Sequence, residues 1–280
     1  MDMNNHLLVP FLIGQRRDGL RRVAELDRHD WDVVDVPDFT ETSLADPNEK
    51  LRRMGRIYAG LAERVQQVVD AGKVPVSIAG DCMSTLGMLG GLQRSGHAPE
   101  RILWLDAHGD FHTWATTQTK YLGGMPLAIL VGRGDRRKHS RDTIGAMLAA
   151  IGVTPYAEQQ VILSDARDLD PGELEAVKSS GVVVCPIDRI GEHLSPDERL
   201  YLHFDSDVMD AESEIPALKY HVKSGPKYAD IAALFRSLRG HNIVAVSVSA
   251  WHEEKDHDNA AARACLALLH ELAITDGAPA

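Results

Sequence analysis

The chain has 280 residues, of which 44% are hydrophobic and 25% are charged, as in an ordinary folded protein with a large core. Asp and Glu outnumber Lys and Arg by 41 to 30, and the resulting net charge of −11 makes nucleic acid a poor candidate partner. No uninterrupted apolar run reaches the roughly 18 residues of a membrane span, and three scattered cysteines are too few for a disulfide framework. We therefore expect a cytoplasmic protein with no nucleic-acid partner and no membrane association.

Short apolar runs alternate with amphipathic stretches along the chain. The predicted strands are Leu7–Ile13, Val74–Ala79, Ile102–Leu105, Val161–Ser164, Val182–Cys185, Tyr201–Phe204 and Ile243–Val248. The predicted helices are one over 51–68 with Gly72 as its C-cap, one through Leu86 and Leu92, one beginning near Pro171, and one capped by Asn259. Exposed loops are predicted at 135–142 and 191–199. Alternating strands and helices predict one α/β domain over residues 1–280, with a mostly parallel sheet covered on both faces.

Acidic residues directly follow two of the predicted strands. Asp106, His108 and Asp110 alternate after the third strand. Asp205 and Asp207 do the same after the sixth strand. Alternate residues of an extended chain point to the same side, so each strand end projects acids into one crevice. Divalent cations relieve the repulsion there, and aspartates with one histidine suit Mn²⁺, with Fe²⁺, Co²⁺ or Zn²⁺ as competitors.

Two alternatives accompany this interpretation. The acids could instead be helix caps and surface residues, an explanation that weakens when two acidic turns both follow buried strands. Cys82, at a third strand-to-helix turn, is either a thiolate ligand or a small buried apolar residue.

Four segments, taken in order, resemble motifs of the arginase/agmatinase/formiminoglutamase (ureohydrolase) superfamily. Residues 106–110 resemble its Asp-Ala-His-x-Asp motif, and residues 205–210 resemble Asp-x-Asp-x-x-Asp. Residues 79–84 are similar to Gly-Gly-Asp-His-Ser, and residues 167–173 to the arginase segment Arg-Asp-x-Asp-Pro-Gly-Glu. The resemblance implies a single three-layer α/β/α domain with an eight-stranded, mostly parallel sheet. It also implies a centre of two Mn²⁺ ions at the strand ends.

Position by position, the resemblance implies roles for individual residues. The implied metal ligands are Cys82, Asp106, His108, Asp110, Asp205 and Asp207. Asp106 and Asp205 would bridge the two ions, and they are the implied catalytic residues together with Asp110. The implied substrate-binding residues are His112, Thr117, Thr119, Asp168 and Asp170. A hydroxide bridging the ions would hydrolyse a linear amidine or guanidine C–N bond of a small amino-acid-like substrate, in a homo-oligomer that is a trimer or hexamer.

Three positions depart from the usual arginase pattern. Cys82 replaces the first ligand histidine, and Gly123 replaces a histidine thought to shuttle protons. Relatives that share both changes include one that hydrolyses N-hydroxyarginine. Ala250 replaces the glutamate that clamps the guanidinium, so we also assign substrate binding to His252, with the two glutamates after it as further candidates. Two other functions stay open: a catalytically altered member that acts as a ligand-binding or partner subunit, and a deacylase on the related fold.

Overall fold

The structure of the chain is a computed structural model that describes residues 5–40, 42, 44–133, 144–212, 215, 217–218, 220, 222–249 and 251–274. The strands are β1 (His6–Val9), β2 (Phe11–Leu12), β3 (Gln15–Arg16), β4 (Trp31–Val33), β5 (Val76–Ala79), β6 (Arg101–Leu105), β7 (Val161–Ser164), β8 (Val183–Cys185), β9 (Leu200–Asp205) and β10 (Ile243–Ser249). The α-helices are α1 (Val23–Leu26), α2 (Pro47–Asp70), α3 (Thr85–Arg94), α4 (Pro126–Leu130), α5 (Ile144–Ile151), α6 (Pro171–Lys178), α7 (Tyr228–Ser237) and α8 (Ala260–Glu271).

Eight of these strands form one parallel sheet in the spatial order β4-β1-β5-β10-β9-β6-β7-β8, and β2 and β3 form a separate hairpin. Two hydrophobic clusters cover the two faces of the sheet. The helices α2, α3 and α5 pack together over one face, whereas α1, α7 and α8 pack over the other. This arrangement confirms the predicted three-layer α/β/α fold with an eight-stranded sheet. That residues 1–280 form a single domain stays a prediction.

All seven predicted strands are present among the described residues. The first is shorter than predicted, since β1 ends at Val9 and the chain then turns back through the β2–β3 hairpin. Ile13 and Gly14 at the hairpin tip have φ of 48° and 78°, the positive values that a two-residue turn requires. The eighth strand, Trp31–Val33, escaped prediction because it has only three residues, one of them charged, at the edge of the sheet.

The helix ends agree with the predicted caps in two places. Gly72 follows α2 with φ of 73°, and its N–H donates to Val69 O at 2.8 Å, so it ends the helix as predicted. Helix α6 begins at Pro171, also as predicted. The predicted cap of α8 is wrong: Asn259 makes no side-chain capping bond, and the buried Asp256 carboxylate accepts the helix N–H groups instead.

The two predicted loops differ in what the structure says of them. Residues 191–199 contain the end of a short 3₁₀ segment and are otherwise irregular, with most side chains exposed or half-buried. The predicted loop 135–142 lies outside the described residues. Within the part of the chain that the structure describes, every helix is too short or too polar to cross a bilayer.

Candidate active site

The predicted metal ligands lie at the carboxyl ends of three strands, β5, β9 and β6. In the central part of the sheet, β5, β10, β9 and β6 lie side by side. The register pairs Ala79 with Ser249 and Ser249 with Asp205, while Leu105 pairs with Phe204. Asp106, the next residue after Leu105, therefore lies at the same level as Asp205. The alternation of the strands brings both acids to one crevice, as the sequence predicts.

The acids are held in place by backbone and side-chain hydrogen bonds. Asp106 Oδ1 accepts the backbone N–H of His108 at 2.8 Å and lies 3.2 Å from His108 Nδ1. On the other side, Trp104 Nε1 donates to Asp106 Oδ2 at 3.3 Å. Asp205 Oδ1 accepts the N–H of Asp207 at 2.9 Å, and Asp207 Oδ2 lies 3.5 Å from His108 Nδ1. These contacts fix the acids on short turns, where their remaining oxygens face the crevice.

Cys82 joins this group from the turn after β5. Its Sγ lies 2.9 Å from Asp205 Oδ2, and Ser249 Oγ donates to it at 3.0 Å. Burial, reinforced by the surrounding carboxylates, raises the pKa of the Cys82 thiol well above its usual range. Without a cation, Cys82 is therefore a protonated thiol that donates to Asp205.

The residue before Cys82 fixes the position of this turn. Asp81 is buried, and its Oδ2 accepts the backbone N–H of Ile13 at 2.5 Å while its Oδ1 accepts the hydroxyl of Tyr58 at 2.6 Å. Ile13 lies at the tip of the β2–β3 hairpin, and Tyr58 is in α2. The Asp81 carboxylate therefore connects the turn to two other elements of the fold.

Burial leaves this cluster with more negative charge than it can stabilise alone. Burial raises the pKa of Asp205 and of Asp110 well above the usual range, and neighbouring carboxylates raise both pKa values further. The pKa of Asp207 is raised for the same reasons. Burial also opposes ionisation of Asp106, but hydrogen bonds and the charge of His108 outweigh it and lower the Asp106 pKa. Against burial, the contacts with Asp106 and Asp207 raise the pKa of His108 to about 12.

The donor set of the crevice fits divalent cations. Asp110 Oδ2 and Asp207 Oδ1 are buried without a hydrogen-bond partner among the described residues, so an extra positive charge would satisfy them. Asp110 also has a φ of 50°, a strained value for a non-glycine residue that is common at functional sites. Three ligand atoms, one each from Asp106, His108 and Asp207, lie within 4.8 Å of one another. This spacing suits a metal ion.

His203 was not among the predicted site residues, yet its ring lies beside the same crevice. Cys82, Asp106 and His203 form a second group of donor atoms within 4.8 Å of one another. His203 Nδ1 lies 2.8 Å from Ser247 Oγ, and burial lowers the pKa of the ring to about 4, so it is neutral. The sequence signal for His203 was its place on β9, two residues before Asp205. Residues two apart on a strand lie on the same side, so the two side chains point the same way.

The crevice is the floor of a cavity of about 200 Å³. Its lining includes all six predicted metal ligands and five of the six predicted substrate-binding residues: Cys82, Asp106, His108, Asp110, Asp205 and Asp207, with His112, Thr117, Thr119, Asp168 and Asp170. The side chains of Asp168 and Asp170 are exposed, whereas His112 lies deeper and its Nε2 is 3.3 Å from Asp170 Oδ2. The structure therefore brings these two predicted groups of residues together.

His252, the sixth predicted substrate-binding residue, is not among the described residues that line the cavity. The two glutamates after it are engaged elsewhere. Glu253 Oε1 lies 2.6 Å from Arg17 Nε, and Glu254 Oε1 lies 2.9 Å from a terminal nitrogen of the same guanidinium. Ala250 lies outside the described residues. This segment therefore supplies none of the suggested replacements for the missing guanidinium clamp.

Further lining residues were not predicted as site residues. Tyr121, Glu173 and Tyr220 face the cavity, and Glu173 is buried and accepts the N–H of Phe111 at 2.8 Å. A Cβ on Gly123 would lie 2.6 Å from Cζ of Tyr121 and 2.8 Å from its hydroxyl oxygen. The Tyr121 ring therefore occupies the space that a larger residue at position 123 would need. The sequence offered a signal only for Glu173, which ends the segment 167–173.

Comparison with known proteins agrees with this geometry. The family model for the arginase family matches residues 12–275. This chain belongs to the arginase family. The arginase of Bacillus subtilis (strain 168) is 27% identical over 251 residues, which cover 79% of this chain and 80% of that protein. The N(omega)-hydroxy-L-arginine amidinohydrolase of Streptomyces lavendulae is 29% identical over 238 residues, covering 82% and 74%.

Comparison with solved structures shows an arginase-like fold. The crystal structure of Bacillus subtilis arginase superposes with a TM-score of 0.77 at 22% identity, over 95% of this chain and 96% of that one. The predicted ureohydrolase resemblance is thus confirmed. Membership of the arginase family indicates a metal-dependent amidinohydrolase, and the acidic crevice supplies donor groups that could hold metal ions.

Proposed function

We propose that this chain hydrolyses the C–N bond of a linear amidine or guanidine in a small amino-acid-like substrate. The observation that carries the proposal is the buried acidic cluster with two unpartnered carboxylate oxygens, among the described residues, at the floor of the cavity. The residues that would hold two Mn²⁺ ions there are Cys82, Asp106, His108, Asp110, Asp205 and Asp207. When bound, the ions would lower the pKa of a shared water so that it is nucleophilic near neutral pH.

The chain's own residues would position this chemistry. Asp106 and Asp205, on adjacent strands, are the proposed bridging acids, and their orientation is already fixed by backbone N–H groups. The Oδ2 of Asp110, which no described residue contacts by a hydrogen bond, would accept one from the reacting group. Strand, helix and turn backbone thus hold the carboxylates before substrate arrives, which lowers the reorganisation needed during the reaction.

Recognition of the amino-acid end of the substrate would occur at the mouth of the cavity. Asp168 and Asp170 have exposed carboxylates suited to an α-ammonium group. The hydroxyls of Thr117 and Thr119 and the ring of His112 would bind the α-carboxylate. The reactive carbon would then lie deeper, beside the acidic cluster.

This assignment predicts discrimination against agmatine, which lacks the α-carboxylate. Hydrogen bonds to a charged group contribute about 1.5–3 kcal/mol, so we expect kcat/KM for agmatine to be about 10- to 100-fold below that for its amino-acid counterpart. The measurement is kcat/KM for both substrates on the metal-loaded protein, with Asp188→Ala as an exposed acidic control outside the cavity. Equal or better turnover of agmatine would contradict the proposed pocket.

Among guanidines, we propose N-hydroxy-L-arginine ahead of arginine. The Streptomyces relative is an N(omega)-hydroxy-L-arginine amidinohydrolase, and Tyr121 fills the space that a histidine at position 123 would need. The test combines metal analysis with a release assay on arginine, N-hydroxyarginine, agmatine, guanidinobutyrate and formiminoglutamate. Release of urea or hydroxyurea supports the proposal, whereas acetate release from an acylated substrate supports a deacylase. Tight ligand binding without turnover supports a partner or binding subunit.

The role of Cys82 predicts a spectroscopic signature. A metal-bound thiolate should give a sulfur-to-metal charge-transfer absorption when the protein is loaded with Co²⁺, because metal binding deprotonates the thiol outright. We expect this absorption to disappear in Cys82→Ser. Cys185→Ser is the matched control, since Cys185 is also buried but does not line the described cavity. An unchanged absorption in Cys82→Ser would show that Cys82 is not a ligand.

The trimeric or hexameric state and the cytoplasmic location stay predictions.

A further inference from the structure

A second cluster of metal-binding side chains lies at the other end of the sheet from the cavity. His6 begins β1, and Asp27 and His29 lie in the segment between α1 and β4. His270 is in the last turn of α8. The register pairs His6 with Trp31 and with the first residue of β5, whereas the crevice follows the last residue of that strand. At about 3.3 Å per residue, the two clusters are separated by at least about 10 Å along the sheet.

The Asp27 carboxylate lies at the centre of this cluster. Its Oδ2 lies 3.1 Å from His29 Nδ1, and its Oδ1 lies 3.1 Å from His270 Nε2. Trp31 Nε1 also donates to Oδ2 at 2.9 Å and so fixes the orientation of the carboxylate. One donor atom each from His6, Asp27 and His29 lie within 4.8 Å of one another. Three imidazoles from three separate elements therefore surround one carboxylate.

Burial and access both suit a bound ion. The Asp27 side chain is 1% exposed, but the rings of His29 and His270 are 28% and 38% exposed. The two rings therefore face solvent at the edge of the cluster, whereas the carboxylate is shielded from it. The rings of His6 and His29 are stacked face to face with centroids 4.3 Å apart. Burial opposes the charge on Asp27, yet the bonds from Trp31 and His29 outweigh it and lower the Asp27 pKa.

We propose that His6, Asp27, His29 and His270 bind one Zn²⁺ ion. Imidazole nitrogen and carboxylate oxygen are ordinary zinc ligands, and bonds of about 2.0–2.2 Å in a tetrahedral site put donor atoms roughly 3.3 Å apart. His6, Asp27 and His29 offer donor atoms within 4.8 Å of one another, and His270 Nε2 approaches the other oxygen of Asp27, so movement of the His270 ring toward the ion would complete the four ligands. Bound zinc would connect the end of α8 to β1 and to the edge strand β4. This is a structural site, separate from the proposed catalytic centre and independent of the proposed function.

The test compares zinc binding by the full-length protein and two histidine variants. Each protein is loaded with Mn²⁺, equilibrated with Zn²⁺, separated from free metal and analysed for both elements. We expect His29→Gln to bind about one equivalent of zinc less per chain than the wild type. His97→Gln, which changes an exposed histidine elsewhere, is the control and should match the wild type. The catalytic centre is the same in all three proteins, so its metal content cancels.

Thermal unfolding supplies the second measurement. Zinc should raise the Tm of the wild type and of His97→Gln, because a ligand that binds only the folded state stabilises it. It should not raise the Tm of His29→Gln to the same extent. Should His29→Gln fail to fold, His270→Gln changes the more exposed ligand and carries the same expectation. Equal zinc content in the wild type and His29→Gln would overturn the proposal, and so would an equal loss of zinc in His97→Gln. Loss of hydrolysis would not bear on it.

Discussion

Replacement of Asp205 by alanine is expected to remove metal binding and hydrolysis together, and Asp106→Ala should behave in the same way. Each acid lies at the end of a central strand, and the two strands are adjacent, so each carboxylate is proposed to contact both ions. Loss of a residue outside the coordination shell already lowers metal affinity or activity about 10- to 100-fold. Loss of a ligand shared by two ions should therefore reduce kcat/KM by more than about 100-fold.

Metal content and turnover should be measured on the same samples, because the prediction links the two. Asp188→Ala is the matched control: it removes an exposed acid that does not line the described cavity. The fold itself should survive the loss of Asp205. Burial raises the pKa of this carboxyl, so in the metal-free protein its charge opposes folding above the pKa of an unfolded aspartate. Full metal occupancy in Asp205→Ala would contradict the bridging role.

Replacement of Gly80 by alanine is expected to lower the free energy of unfolding by about 2–4 kcal/mol. A Cβ on Gly80 would lie 2.7 Å from the carbonyl carbon of Phe11, and the carbonyl oxygen would be closer still. These are backbone atoms, so no side-chain rotation can relieve the clash. Gly80 N also donates to Val9 O at 3.3 Å, which holds the two segments together. Since Cys82 is two residues further on, metal affinity should fall as well.

Urea unfolding of the metal-free protein measures this effect without a contribution from bound ions. Gly191→Ala is the control, because no atom lies within 4 Å of the Cβ that it would add and its backbone needs no positive φ. We expect that variant to differ from the wild type by less than about 0.5 kcal/mol. Equal stability of Gly80→Ala and Gly191→Ala would mean that the hairpin and the β5 turn move apart easily.

The sequence predicts the central sheet well because its signals are local. Buried parallel strands are continuous apolar runs, and an acid directly after such a run marks the carboxyl edge of the sheet. The order of residues along the chain is therefore sufficient to place Asp106 and Asp205 in one crevice. The short edge strand β4 lacks such a run, since its middle residue is Asp32, and no local pattern distinguishes it from a loop.

The features that escaped prediction depend on contacts between distant segments. Glu253 is a candidate substrate clamp by its sequence position, but it pairs with Arg17, 236 residues away in the chain. His203 looks like a core residue from its strand position, and only the packing of three strands brings it near Cys82. Such partners become visible only in three dimensions.

The bonds of Asp81 connect the proposed metal centre to the tip of the β2–β3 hairpin. Hairpin tips are ordinarily where insertions and substitutions accumulate during evolution, since little depends on them. Here the tip residue Ile13 holds the carboxylate next to Cys82, so a longer or looser tip would be selected against through its effect on metal retention. Residues 11–16 should therefore vary less between descendants of this gene than hairpins ordinarily do, and a change at the tip should persist only with a compensating change at Asp81 or Tyr58.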